Sequence, residues 1–330
     1  MRRVSVIGAG SWGTTVASLA AMRADTTLWA RRGELAEKIN RTRSNPEYLP
    51  DHSLPDRLSA TDDIARAVSG ADVLIMAVPS HGFRQVFAGV STFLEPGVPV
   101  LSLTKGIEQE TLARMTEVVA EISPTSTTGV MTGPNLVAEI VAGQPTATVV
   151  AMGDEAVARD IQSLFMGPTF RVYTNDDVIG CELGGALKNV MAIASGMSDG
   201  LGFGDNTRAT VLTRALAEVT RLGTALGGRH ETFAGLAGMG DLIATCSSTM
   251  SRNHQVGHRL AQGQTTEEII ADMKMVAEGV KTTKSVLGLA DRAGVEMPIA
   301  THVGLVLDGR MKPREAVMSL MTREAKAESR

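Results

Sequence analysis

The first half of the chain alternates short apolar runs with stretches of helical periodicity. Runs such as "RVSVIG", "TTLWA" and "DVLIMAVP" are separated by amphipathic stretches such as "GTTVASLAAM" and "ELAEKINRTR". Apolar runs of this length, bounded by Gly, Pro or Asp, are typical of strands buried on both faces of a sheet. Further strands are predicted at "VPVLSLT", "GVMTGP", "ATVVAM" and "FRVYTN", and "QETLARMTEVVAEI" is predicted to be helical. The pattern therefore predicts an α/β fold with a doubly wound, mainly parallel sheet.

The second half of the chain carries a different pattern. After about residue 176 the strand signal stops, and helices are predicted at 182–199, 205–227, after Thr265 and at 279–293. We therefore predict two domains, an α/β unit over residues 1–180 and an all-α unit over 181–330. The polar, Pro-rich segment "RTRSNPEYLPDHSLPDRL" (41–58) is predicted to be a surface excursion between the second and third strands.

Composition narrows the classes of function. The chain has 330 residues, is 43% hydrophobic and carries a net charge of −4. Since no block of Lys or Arg stands out, nucleic acid is not expected as a partner, and an anionic ligand would need a local basic pocket. Cys181 and Cys246 match neither a metal spacing nor a disulfide framework, which favours a reducing cytoplasm and a site without metal.

The sequence also bears on membrane insertion and on assembly. The first residues, "MRRVSVIGAG", lead directly into a strand, so we expect no leader segment. We also expect no apolar run long enough to cross a bilayer, and hence no membrane insertion. The sequence is compatible with a homodimer and does not decide the oligomeric state.

The segment "VSVIGAGSWG" places Gly8, Gly10 and Gly13 in G-x-G-x-x-G spacing between the first strand and the first helix. In a Rossmann-like unit the first Gly allows the tight turn, the second lets pyrophosphate approach the backbone, and the third lets the helix pack closely on the sheet. The N-terminus of that helix would add amide donors and partial positive charge. The alternative is a glycine-rich turn that binds no ligand.

The end of the second strand usually distinguishes the two nicotinamide cofactors. NAD-specific sites place an acid there, which holds the ribose 2′-hydroxyl. This chain has "LWARRGE", with Arg31 and Arg32 first and Glu34 later. Guanidinium groups suit a 2′-phosphate, so NADP is a plausible cofactor while NAD stays open. The alternative interpretation is a pair of solvated arginines at the start of a helix.

Lys188 stands alone in the apolar helical stretch "ELGGALKNVMAIASGM", with no acid three or four residues away. Burying an unpaired ammonium is costly, so this lysine needs partners from elsewhere in the fold. Lys105 in "LSLTKGIE" and the turn "MTGPN" follow strands and can face the same crevice. The remaining candidates are Asp241, Thr245, Ser251, Arg252 and Asn253. The alternatives are a snorkelling lysine, an exposed loop lysine and an ordinary turn.

Several of these motifs together resemble the NAD(P)-dependent glycerol-3-phosphate dehydrogenases. The resemblance extends in order from Val4 to about Lys284 and includes "GAGSWGT", "LSLTKGIE", "GPN", "GALKNVMAIASGMSDGLGFGDNTRA", "GLAGMGDLIATC", "SRN" and "EGVKTT". It implies reversible hydride transfer between NAD(P)H and dihydroxyacetone phosphate, a small phosphate ester, giving sn-glycerol 3-phosphate. It also implies a cytoplasmic enzyme that feeds glycerophospholipid synthesis.

The resemblance further implies roles for individual residues. Lys188 looks like the general acid/base, with Lys105 and Asp241 beside it. The implied substrate contacts are Lys105, Gly133, Asn135, Asp241, Ser251, Arg252 and Asn253. The implied cofactor contacts are Ser11, Trp12, Arg31, Arg32, Lys105, Val137, Arg252, Val276 and Glu278. The turn "GPNLVAE" departs from the usual pattern of the family, which alters the wall at Leu136 and Val137.

Elementary chemistry then suggests a mechanism and two rival functions. With the ordinary lysine pKa of about 10.4, Lys188 would begin as an ammonium that protonates the developing alkoxide. Asp241 would orient the lysine, and Arg252 would clamp the phosphate. The rivals are a related two-domain dehydrogenase of a 3-hydroxy acid or a ketoacid such as ketopantoate, and a non-catalytic dinucleotide-binding regulator.

Overall fold

The structure, a computed structural model, describes residues 1–273, 277–324 and 327. Its first 175 residues contain eight strands: β1 (Arg3–Ile7), β2 (Asp25–Trp29), β3 (Leu58–Thr61), β4 (Val73–Met76), β5 (Val100–Ser102), β6 (Thr128–Thr132), β7 (Thr146–Met152) and β8 (Phe170–Asn175). They form one sheet in the order β3-β2-β1-β4-β5-β6-β7-β8. All neighbouring pairs are parallel except β6 and β7, which are antiparallel. The predicted doubly wound, mainly parallel sheet is confirmed.

Seven helices connect these strands: α1 (Ser11–Ala21), α2 (Gly33–Thr42), α3 (Ile64–Val68), α4 (Ser80–Ser91), α5 (Met115–Ile122), α6 (Val137–Val141) and α7 (Glu155–Phe165). Strand order reverses direction at β1, which lies between β2 and β4. In open α/β sheets such a switch point opens a crevice outside the carboxyl ends of the strands. The fold therefore places the glycine loop, which follows β1, at the mouth of that crevice.

The rest of the described chain is helical: α8 (Val178–Gly200), α9 (Asp205–Ala225), α10 (His230–Ala234), a π-helical turn (Leu236–Gly240), α11 (Asp241–Ser247), α12 (Arg252–Ala261), α13 (Thr266–Asp272), α14 (Glu278–Ala293), α15 (Pro298–Leu307) and α16 (Pro313–Met321). The all-α character predicted for this half is confirmed. Helix α8 is the centre of the helical half, and α9, α11, α12, α14 and α15 all pack against it.

One expectation about α8 is wrong. By length and composition it could cross a membrane, whereas the sequence was expected to hold no such run. Most of this helix is buried, and nearly every residue from Gly180 to Ser198 is covered by protein. Its apolar character is that of a core helix, because its neighbours in the helical half supply the covering surface.

The structure also corrects the predicted course of several elements. Strand β3 was not predicted, because "LSAT" is short and half polar. The helix expected from Gln109 begins only at Met115, where the Glu117 side chain accepts a hydrogen bond from the Arg114 amide at 2.8 Å. The excursion 41–58 is not wholly at the surface, since Asn45 is fully buried.

The predicted boundary near residue 180 falls in the first turn of α8. This end of the helix is bonded to both halves. Asp177 caps it by accepting a hydrogen bond from the Gly180 amide at 2.8 Å, and its other oxygen accepts one from the Thr232 hydroxyl of the second half at 2.6 Å. Buried Glu182 accepts hydrogen bonds from the Thr116 amide at 3.0 Å and hydroxyl at 2.5 Å. The division into two domains therefore stays a prediction.

Candidate active site

The glycine loop has the geometry that a bound dinucleotide requires. Gly8 has φ +119°, and a Cβ there would lie 2.5 Å from the Ala77 carbonyl oxygen. A Cβ on Gly13 would lie 1.9 Å from the Gly8 carbonyl oxygen, so this Gly lets α1 pack against the turn. At Gly10 nothing lies within 4 Å of the position of a Cβ, which leaves open space beside the backbone at the start of α1. The loop therefore fits a pyrophosphate group approaching Gly10.

Ser11 and Trp12, the two residues that follow Gly10, belong to the same part of the loop. The Ser11 hydroxyl donates to the Tyr48 carbonyl oxygen at 3.0 Å, which ties the loop to the Pro-rich segment. Trp12 Nε1 is buried and has no hydrogen-bond partner among the described residues. An orphaned donor next to the glycine loop is a further feature that fits a polar ligand.

Arg31 and Arg32 follow β2 directly, as predicted, and both are exposed. Arg32 is not a free cation, because it forms an ion pair with Glu47. Hydrogen bonding to the Glu47 carboxylate raises the pKa of the Arg32 guanidinium. Sequence reasoning missed Glu47, which lies in the Pro-rich segment with no motif to mark it.

Lys188 finds its partners inside the fold. Its side chain is buried, and its ammonium donates hydrogen bonds to one oxygen of Asp241 and, at 2.6 Å, to the Thr245 hydroxyl. The other Asp241 oxygen accepts a hydrogen bond from the Lys105 ammonium at 2.6 Å. Lys105 also donates to the Gly133 carbonyl oxygen at 2.9 Å. The lysine is therefore not snorkelling to solvent, and one carboxylate is shared by two ammonium groups.

This environment changes the acid strength of Lys188. Burial lowers the pKa of its ammonium to about 7, an effect that Asp241 opposes and that the nearby positive charge of Lys105 reinforces. The expectation of an ordinary lysine pKa is wrong, because it ignored desolvation. Near neutral pH both the ammonium and the amine are accessible, as a group that gives and takes a proton requires.

Glycine residues allow the parts of this cluster to meet. A Cβ on Gly185 of α8 would lie 2.6 Å from the Thr132 hydroxyl and 3.5 Å from Lys105 Cγ. A Cβ on Gly184 would lie 2.5 Å from the Ala237 carbonyl oxygen in the π-helical turn. The pair "GG" one turn before Lys188 thus lets α8 touch the end of β6 on one side and the turn that precedes Asp241 on the other.

The N-terminus of α12 brings the next set of predicted residues to this region. Ser251 is the N-cap, and its hydroxyl accepts a hydrogen bond from the His254 amide at 3.3 Å. Arg252, the first residue of α12, has exposed surface, yet it is crowded by protein atoms. This burial lowers the pKa of its guanidinium, and Glu278 opposes the effect. A cation at a helix N-terminus without acids in its first turn is suited to an anionic group.

Asn253 links α12 to Lys105 through a second amide. Its side chain accepts from the Gly279 amide at 2.9 Å and donates to the Asn189 side chain at 3.0 Å. Asn189 in turn donates to the Lys105 carbonyl oxygen at 2.9 Å. Sequence reasoning did not single out Asn189. Its signal was available, since it is a polar amide directly after Lys188 in an apolar helix.

The remaining predicted residues lie around the same crevice. The Glu278 carboxylate accepts hydrogen bonds from the Ser80 amide at 3.1 Å and hydroxyl at 2.6 Å, at the start of α4. Asn135 donates to the Thr148 hydroxyl at 3.0 Å, and its buried Oδ1 has no partner within the described ranges. Val137 begins α6, which packs against α1.

Two further predictions, a cofactor contact at Val276 and a site without metal, are not tested by the structure. Val276 lies outside the described residues. In the part of the chain that the structure describes, no group of His, Cys, Asp and Glu residues is arranged to hold a metal ion, and a reaction without metal stays a prediction. Cys181 and Cys246 are free and buried.

Comparisons with known proteins cover nearly the whole chain. The family profiles described as NAD-dependent glycerol-3-phosphate dehydrogenase N-terminus and C-terminus match residues 3–158 and 177–318. Glycerol-3-phosphate dehydrogenase (NAD(P)+) 2 of Sphingopyxis alaskensis is 55% identical over 319 residues, which are 97% of this chain and 96% of that protein. The glycerol-3-phosphate dehydrogenase (NAD(P)+) of Geobacter sulfurreducens is 51% identical over 330 residues, 99% of this chain and 98% of that protein.

Solved structures agree with these matches. The crystal structure of glycerol-3-phosphate dehydrogenase from Coxiella burnetii superposes with a TM-score of 0.94 at 35% identity, covering 98% of this chain and 99% of that one. A ketopantoate reductase from Ralstonia eutropha reaches a TM-score of 0.57 at 16% identity, over 93% of this chain and 99% of that one. That second likeness concerns the fold alone.

Proposed function

This chain belongs to the family of NAD(P)-dependent glycerol-3-phosphate dehydrogenases, and we propose that it transfers a hydride reversibly between NAD(P)H and dihydroxyacetone phosphate, giving sn-glycerol 3-phosphate. The observation that carries this proposal is the buried cluster of Lys188, Asp241 and Lys105, which lies where the ends of β5 and β6 meet α8. A reacting carbonyl needs such a proton donor, and a non-catalytic regulator has no use for it.

The first half of the chain would hold the pyrophosphate and the adenosine ribose of the cofactor. When bound, its nicotinamide supplies or accepts the hydride. The open backbone at Gly10 and the N-terminus of α1 would hold the pyrophosphate, and Arg31 and Arg32 would face the adenosine ribose. Trp12 and Glu278 would line the same crevice.

Lys188 holds and moves the proton at the substrate oxygen. In reduction, its ammonium stabilises the developing alkoxide and then donates a proton to it. In oxidation, the neutral amine accepts the hydroxyl proton. A pKa of about 7 makes both forms available near neutral pH. Asp241 acts as a positioning residue, and Lys105 holds the second oxygen of that carboxylate and adds positive charge.

The phosphate group is assigned to the N-terminus of α12. Arg252 can donate two parallel hydrogen bonds to phosphate oxygens, and the backbone amides of the first turn add further donors. Asn253 and Ser251 fix this turn in place. Gly133, Asn135 and Thr245 are the other proposed substrate contacts.

The wider context is also a proposal. We infer a cytoplasmic enzyme whose product feeds glycerophospholipid synthesis and which acts as a homodimer. Its dinucleotide-binding unit would span residues 1–180 and its substrate unit 181–330. Sedimentation of the purified protein tests the homodimer, since a monomer at working concentrations would contradict it.

The reaction is tested by a substrate panel. The purified enzyme is offered dihydroxyacetone phosphate, dihydroxyacetone, ketopantoate and a 3-keto acid, each with NADH and with NADPH, and cofactor absorbance is followed. Turnover with dihydroxyacetone phosphate and little with dihydroxyacetone is expected. Preference for either acid would support the rival dehydrogenase, and cofactor binding without turnover would support the regulator.

The phosphate clamp has its own variant. Arg252→Lys keeps the positive charge and loses the planar fork, so KM for dihydroxyacetone phosphate should rise about tenfold, which is the loss of roughly one charged hydrogen bond. The rate with unphosphorylated dihydroxyacetone should change little. An unaltered KM for the phosphate ester would remove Arg252 from this role.

A further inference from the structure

The segment after α2 is attached to the glycine loop. The side chain of Asn45, which is fully buried, donates hydrogen bonds to the Ala9 carbonyl oxygen at 2.9 Å and to the Thr14 hydroxyl at 2.8 Å. Three residues later, the Tyr48 carbonyl oxygen accepts from the Ser11 hydroxyl at 3.0 Å. These bonds surround Glu47 in the sequence, so its backbone has a fixed place beside the loop.

Glu47 uses this place to hold Arg32. The two side chains form an ion pair, although both remain partly exposed. Arg32 is the residue before α2 and stands at the end of β2, where the adenosine ribose is expected. Arg31 has no hydrogen-bond or ion-pair partner among the described residues. One of the two arginines is thus occupied by a carboxylate, and the other is available.

We propose that Glu47 sets the cofactor preference of this enzyme by competing with the 2′-phosphate of NADPH for Arg32. The inference rests on the proposed function, because it needs a nicotinamide dinucleotide in the crevice. A 2′-phosphate must take Arg32 away from Glu47 and then lie near a carboxylate of like charge. The 2′-hydroxyl of NADH carries no charge and leaves the pair intact.

The alternative is that Glu47 affects the cofactors only through its general negative charge at the surface. Exposed ion pairs contribute little to stability, and any acid near the 2′-phosphate, Glu34 as much as Glu47, would then disfavour NADPH. Glu34 provides the comparison within the chain. It lies in the first turn of α2, carries the same charge near Arg32 and makes no ion pair with it. Only Glu47 should discriminate between the cofactors.

The test measures the dissociation constants of NADH and NADPH for the full-length protein, by fluorescence titration at one fixed ionic strength. Glu47→Gln should tighten NADPH about threefold or more, the scale of one exposed charge pair, and leave NADH within about twofold. Glu34→Gln should leave the ratio of the two constants within about twofold. Equal changes for both cofactors, or none, would overturn the inference, and so would an equal effect of Glu34→Gln.

A double-mutant cycle identifies the partner. In an Arg32→Ala background, Glu47→Gln should tighten NADPH less than it does in the wild type, because there is no guanidinium to release. An undiminished gain would show that Glu47 acts without Arg32. If both cofactors bind and turnover occurs but their ratio does not respond, this inference alone fails. If the wild type binds neither cofactor, the proposed function fails with it.

Discussion

The glycine loop and the Lys188 cluster face the same crevice, but they are built in opposite ways. The loop is a contiguous stretch in which the absence of side chains at Gly8, Gly10 and Gly13 shapes the backbone. The cluster joins side chains that are far apart in the chain: Lys105 and Asp241 are 136 residues apart, and Lys188 and Asp241 are 53 apart. In the proposed function, a local motif would bind the invariant part of the cofactor, whereas tertiary packing brings together the groups that would move the proton.

The largest effect is expected from a substitution that removes the ammonium group of Lys188 and keeps the packing of its side chain. Lys188→Met retains length and an apolar stem, and Asp241 keeps Lys105 as a partner, so the protein should fold. Turnover should fall by about 10²–10³ or more, because a charged donor and the proton source are lost together. The measurement is the turnover number with dihydroxyacetone phosphate.

Cofactor affinity is the control for this variant. The glycine loop and Arg31 belong to the other half of the site, so the dissociation constant for NAD(P)H should stay close to that of the wild type. Near-normal turnover in Lys188→Met would mean that the lysine is structural. Loss of cofactor binding as well would mean that the two regions are not as separate as the geometry indicates.

The second prediction compares two glycines of the loop, one with a structural role and one beside the proposed cofactor site. Gly13→Ala places a Cβ against the Gly8 carbonyl oxygen and should lower the free energy of unfolding by roughly 1–3 kcal/mol. Gly10→Ala has open space for its methyl group and should leave the melting temperature nearly unchanged. It should instead weaken NAD(P)H about tenfold, because the methyl group blocks the approach of the pyrophosphate. Melting curves and cofactor titrations on both variants test this contrast, and identical behaviour would contradict it.

The last prediction concerns the pH dependence of the cluster, which the glycine loop does not share. Burial lowers the pKa of Lys188 to about 7, so the ammonium predominates below pH 7 and the amine above it. For reduction, kcat/KM should be flat below about pH 7 and fall about tenfold per pH unit above it. For oxidation, kcat/KM should rise to about pH 7 and then level.

Initial rates in both directions between pH 6 and 9, together with cofactor affinity over the same range, check this profile. A reduction profile that stays flat up to pH 9, as the ordinary lysine pKa of about 10.4 requires, would show that burial does not control Lys188. Cofactor affinity that followed the same curve would place the titrating group outside the cluster.

The contrast also explains what the sequence could predict. The sheet, α8 and the glycine loop follow from local periodicity and spacing, which is information carried within a few turns of chain. The partners of Lys188 could be named as candidates, since an isolated apolar-helix lysine requires an anion. Their arrangement could not be derived, because it depends on Gly184 and Gly185 bringing α8 against two other elements.

The features that the sequence did not predict all depend on tertiary contacts between residues distant in the chain. The segment "GLAGMGD" has too many glycines to read as helical, yet tertiary contacts wind it into the π-helical turn before Asp241. Glu47 lies among prolines, and only the hydrogen bonds of Asn45 place it beside the glycine loop. The pKa of Lys188 depends on burial, which spacing along the chain does not report.

The central position of α8 has a consequence for synthesis of the chain on the ribosome. This helix is complete at residue 200, but the helices that cover it, α9, α11, α12, α14 and α15, are encoded between residues 205 and 307. Chains emerge from their N-terminus, so the sheet can fold while α8 is still uncovered. Over that interval the nascent chain presents a helix as long and apolar as a membrane span. Ribosome-bound chains arrested after α9 should therefore bind a chaperone, and chains arrested after α16 should have lost this binding.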